Sequence, residues 1–198
     1  LGLFNYENRR LAGENYEIER YIPKSNRAFR FLSTSVTTTS SIRDNWQEGQ
    51  NNTQTGDDNN SNLNSGFGTH ITGSTSGANG FDATLTGNPS MFEWNAANAQ
   101  WNSIPNTDTK TFKAGDAYVL LIRGDRSTTL NSNTAVGPAT TLRATGKLVV
   151  GSKTVTNLSS TLGGFSLIGN PYQAKVNMAD LLSSVNSSGV SSQFVYIY

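Results

Sequence analysis

An imidazole, clustered carboxylates, three indoles and one Arg-Gly-Asp tripeptide are the parts of this sequence through which it could do chemistry. His70 is the sole histidine among 198 residues, so any Ser-His-Asp relay or imidazole metal site must pass through it. It lies in Gly68-Thr69-His70-Ile71-Thr72, which has no nearby carboxylate, and reads as a strand or loop histidine hydrogen-bonded locally. Asp57-Asp58-Asn59-Asn60-Ser61-Asn62 offers oxygen ligands at alternate positions, with Asp57, Asp58 and Asn60 the calcium candidates. The glycine and distal glutamate of an EF-hand loop are missing, and a disordered polar loop accounts for the same residues. No other cofactor is indicated. Trp46, Trp94 and Trp101 either fill a core or stack on sugar rings. No acidic residue sits in a context that marks it for glycoside hydrolysis, so the sequence reads as non-enzymatic.

Arg123-Gly124-Asp125, followed by Arg126, is the tripeptide that cell-adhesion receptors read. It follows Ala117–Ile122, apolar at consecutive positions, as expected of a strand covered on both faces. Gly124 permits a positive φ and Asp125 can accept backbone hydrogen bonds. Arg123 and Arg126 flank the carboxylate and can pair with it or with other loop carboxylates. The motif therefore reads as a structural turn at a strand end.

The elements that would position these groups are short. Tyr16–Ile22 and Arg27–Leu32 alternate in the β manner around Pro23-Lys24-Ser25-Asn26. Met91–Trp101 reads as a hairpin, with Trp94 and Trp101 on its arms. Thr141–Val150 and Gly164–Ile168 supply further strands, and Thr154–Leu158 and Gly68–Thr72 are weaker candidates. Ser41 predicts a helix over about 41–48, ended by Gly49. Asn177 predicts a second over about 178–186, with Met178, Leu181, Leu182 and Val185 on one face. Gly87-Asn88-Pro89 and Gly169-Asn170-Pro171 punctuate strands. Residues 50–66 are expected to form a flexible polar loop, too poor in apolar side chains to pack alone. The fold expected is all-β and mainly antiparallel, a two-layer sandwich or jelly-roll-like domain over 1–198.

Charge and composition narrow the partners. The net charge is +1 with a pI near 8.2, and Lys and Arg are scattered, which argues against nucleic acid. Cysteine is absent, which excludes disulfides and thiolate metal sites. No apolar run reaches membrane-spanning length, so membrane insertion is not expected. Only 15% of residues are charged, while Asn, Ser, Thr and Gly abound, a makeup frequent in secreted bacterial β-proteins. The C-terminal QFVYIY stops inside an alternating run, so the chain reads as a piece of a longer polypeptide, with the other domains of that chain as partners.

Several motifs occur in an order that resembles a known group. They are ERYIP (Glu19–Pro23), RAFRFL (Arg27–Leu32), IRDNWQEG (Ile42–Gly49), GTHITG (Gly68–Gly73) and GFDAT (Gly80–Thr84). AGDAYVLLIRGDRS (Ala114–Ser127), TTLRATGKL (Thr140–Leu148) and IGNPYQA (Ile168–Ala174) follow. Together they resemble a region of very large secreted or cell-surface proteins of Bacteroidetes, especially flavobacteria, similar to cargo of the type IX secretion system. The resemblance covers about Glu19 to Tyr198; the loop Asn51–Ser65 departs most from it. It implies an extracellular or outer-surface location and the secretion machinery as a partner in transit. It carries over no catalytic residue, and it places the Arg-Gly-Asp within a strand-end pattern. The expected function is a non-catalytic module serving adhesion, display or spacing, or alternatively a carbohydrate-binding module.

Overall fold

The computed structural model describes residues 14–55, 64–132, 134, 136–184, 187, 189–191 and 195–197. Its strands are β1 (Tyr16–Ile22), β2 (Ala28–Ser33), β3 (Val36–Thr37), β4 (Thr72–Ser74) and β5 (Asp82–Ala83), then β6 (Met91–Asn95), β7 (Gln100–Ser103), β8 (Ala117–Ile122) and β9 (Thr140–Leu148). Two short helices, α1 (Ile42–Trp46) and α2 (Met178–Ser183), and one 3-10 turn at Ala78–Gly80 complete it. The chain is mainly β and its two larger sheets are antiparallel: β1-β9-β3 and β2-β8-β6-β7. A parallel two-stranded pair, β4-β5, stands apart.

The alternation of side chains along each strand builds one core between the two sheets. Ile22, Val36, Leu142 and Ala144 come from one sheet, and Leu32, Met91, Tyr118, Leu120 and Ile122 from the other. Trp46, Phe112, Ile71 and Phe81 fill the same cluster from α1 and the connections. This is the sandwich arrangement that the short alternating segments predict.

The first helix forms where its cap does. Ser41 Oγ accepts from the Asp44 amide while Asp44 reaches back to the Ser41 amide, a reciprocal capping box. Asn45 then extends the sheet with its side chain: Oδ1 accepts from the Thr145 amide at 2.9 Å and Nδ2 donates to Ser41 O at 2.6 Å.

Beyond Leu148 the expectations fail in an instructive way. Thr154–Leu158 and Gly164–Ile168 form no strand there, and earlier in the chain Gly68–Thr72 contributes only Thr72 to β4. Among the described residues past Leu148, Gly169 is the one that is buried, and none joins the core. The helix at Met178–Ser183 is capped by Asn177 as expected, but none of its residues is buried. Val185 lies outside the described residues. Alternation marks a face; it does not supply a neighbour to bury that face against.

Candidate functional site

His70, Asp82 and Arg126 form a buried ion network where β8 ends. Asp82, Arg126 and His70 all have 0% exposure. The Arg126 guanidinium grips the Asp82 carboxylate with two bonds, Nη1 to Oδ2 at 3.0 Å and Nη2 to Oδ1 at 2.9 Å. Backbone amides of Asn52 (2.8 Å) and Ile71 (3.1 Å) also donate to that carboxylate, as does Gln47 Nε2 at 3.4 Å. His70 Nδ1 lies 3.2 Å from Oδ2. Burial alone would push the Asp82 carboxyl up; its contacts with His70 and Arg126 outweigh that and hold it well below the usual carboxylate range. Three stretches distant in sequence, 47–52, 70–71 and Arg126, therefore meet at one carboxylate.

Asp125 is committed in the same way. It is 3% exposed; Oδ2 accepts from the Gly66 amide at 2.7 Å, and Oδ1 from the Ser127 amide at 3.0 Å and its hydroxyl at 2.5 Å. Gly124 has φ +106, and a Cβ there would meet Pro138 Cδ at 2.5 Å and Thr128 Oγ1 at 2.7 Å. Glycine is thus required by both backbone and space. At the turn formed by Arg123, Gly124, Asp125 and Arg126, the side chains of Asp125 and Arg126 clamp the 66–72 loop and β5.

The three tryptophans separate. Trp46 is 3% exposed and packs on Phe112 (ring centroids 4.4 Å) and Tyr118 (6.1 Å), as part of the core, and it also lines the larger of two surface recesses. Trp94 and Trp101 face each other across β6 and β7 at 5.1 Å and 64°, on the outer side of the four-stranded sheet. Trp101 is 42% exposed. Phe31 lies 6.0 Å from Trp101, and Phe29 lies 6.1 Å from Phe92 on the same face. Trp94 Nε1 donates to Phe165 O at 2.9 Å, tethering the C-terminal segment to the edge of this aromatic row.

Two recesses open on the surface. One of about 400 Å³ has Ile18, Leu142 and Ala144 as its floor and Arg20, Asn170 and Tyr172 on its rim. The other, about 140 Å³, lies among Glu17, Asp44, Glu48 and Arg143, with Arg143 paired to Glu48. Among the described residues no group of three His, Cys, Asp or Glu is placed to hold a metal ion. Asp57, Asp58 and Asn60 lie outside the described residues, while the flanking Asn52 and Gly66 are tied to Asp82 and Asp125. No helix among the described residues is long and apolar enough to cross a membrane.

Asp82 is the residue that the local sequence pattern does not single out. Its only signal is position: an acid flanked directly by the apolar Phe81 and Ala83. No family model, curated protein or solved structure matches the chain.

Proposed function

We propose that the chain is a non-catalytic module of an exported bacterial surface protein, serving adhesion, display or structural spacing. The observation that carries this reading is the fate of its most reactive side chains. The sole histidine and the acid beside it are sealed from solvent in a clamp, where no substrate reaches them. The ordered motifs resembling Bacteroidetes type IX cargo are what favours an outer-surface location. Intact cells producing the protein should lose this region to added protease, and cells lacking the sorting machinery should protect it. Protection in both strains would reject the surface assignment.

A second reading, carbohydrate binding, is favoured by Trp101 standing half-exposed against Trp94 and Phe31. The steep angle between the indoles offers one ring edge and one face, suited to a single sugar residue rather than a flat crystalline surface. Trp101→Ala should weaken any glycan bound on an array by about tenfold, ~1.4 kcal/mol, with the circular dichroism spectrum unchanged. Undiminished glycan binding in that variant would remove the indole from the site.

A further inference from the structure

Arg126 has a carboxylate; Arg123, on the same turn, has none. We infer that Arg123 and Arg27 together hold a small oxyanion, of sulfate or phosphate size, at one end of the four-stranded sheet. The β2–β8 ladder ends with Ala28 opposite Ile122, so Arg27 and Arg123 stand side by side one residue further on. Like charges directly opposite in an antiparallel pair repel each other.

Arg27 anchors the loop that covers them, donating to Thr129 O at 2.7 Å and to Ser132 O. Its Nε is nevertheless enclosed without an acceptor, as is Nη1 of Arg123. Arg123 is only 9% exposed, and no residue among those described accepts a hydrogen bond from its guanidinium. The nearby acids are already committed, Asp82 to Arg126 and Asp125 to Gly66 and Ser127. Burial, and then the charge of Arg27, bring the Arg123 guanidinium down to about 10, so it still carries its proton at neutral pH.

A buried, unpaired guanidinium beside a second cation is an unfavourable arrangement that persists only if something answers it. One oxyanion accepts from both neighbouring guanidiniums and reverses the sign of their interaction.

The test titrates the 198-residue chain with sodium sulfate and sodium phosphate at constant ionic strength, sodium chloride making up the balance. A saturable rise in melting temperature and a saturable heat of binding are expected with the oxyanions and not with chloride. Arg123→Met should lose the saturable rise, and in chloride it should melt at or above wild type because an unpaired charge has gone. Calorimetry on the wild type needs no variant to fold. A wild-type melting temperature that follows ionic strength alone, with no saturable heat, overturns the proposal, as does an Arg123→Met variant that keeps the sulfate response. Dextran sulfate separates the sources: competition with sulfate assigns the site to anionic groups on a polymer, and absence of competition assigns it to the free ion.

Discussion

Asp82→Asn is expected to lower the unfolding free energy by about 3–5 kcal/mol, the cost of stripping one partner from a buried ion pair. Asparagine keeps the size of the side chain, so no cavity contributes; what changes is charge and acceptor count. The carboxylate oxygens receive Arg126 twice, the Asn52 and Ile71 amides, and Gln47. An amide nitrogen in place of either oxygen would face at least two of these donors. Arg126, at 0% exposure, would keep its charge with nothing to answer it. For a chain of this length the melting temperature should fall by roughly 6–20 °C, read alongside urea denaturation. Asp82→Asn combined with Arg126→Met should cost less than the sum of the single changes, because the charge then leaves with its partner. Additive costs, or a single-mutant cost below about 1 kcal/mol, would show that the network is not the clamp its geometry describes.

The same residue fixes the direction of the acid response. The native carboxyl titrates below its unfolded value of about 3.9, so in acid the unfolded chain binds the extra proton. The stability it contributes is complete above that value and is lost as the pH falls through the acid range. Wild type should therefore lose stability steeply below about pH 4, and Asp82→Asn should lose less over the same interval. Equal acid limbs for the two proteins would assign the acid response to other carboxylates.

What the sequence discloses and what it hides follow the range of the interactions. The Met91–Trp101 hairpin is legible because its arms are adjacent and the Trp94–Trp101 pair sets its register. The Ser41 capping box is legible because it closes within three residues. Ala117–Ile122 is legible as an interior strand, lying between β2 and β6. Its consecutive apolar residues divide between the core face and the aromatic outer face. Asp82 is not legible as a hub, because its partners come from Gln47, Asn52, the 70–71 stretch and Arg126. Only the folded topology brings them together. The apolar alternation after Leu148 misleads for a related reason. A strand exists only when a ladder accepts it, and this segment touches the sandwich at points such as Trp94–Phe165 and Gly115–Gly169 rather than along a ladder.

Asp125→Ala is expected to cost about 1–3 kcal/mol and to leave cell attachment unchanged, because the carboxylate serves the fold. Its removal orphans the Gly66 amide, the Ser127 amide and the Ser127 hydroxyl, which all point at it now. Gly66 closes the far side of the network through Thr141, whose amide donates to Gly66 O at 2.8 Å, so the loss should spread to the β9 end of the sheet. Asp125→Glu should recover only part of the stability, since the extra methylene carries the carboxylate past the Ser127 amide in a site with no slack. An adhesion loop makes the opposite demand: its arginine and aspartate must project into solvent for a receptor to span them. Here Arg123 is 9% and Asp125 3% exposed, and Gly124 is wedged against Pro138, so the tripeptide is out of reach without unfolding the turn. Thermal denaturation beside an attachment assay with integrin-bearing cells separates the two roles. A melting temperature unmoved by Asp125→Ala, together with attachment that the substitution abolishes, would return the tripeptide to the receptors.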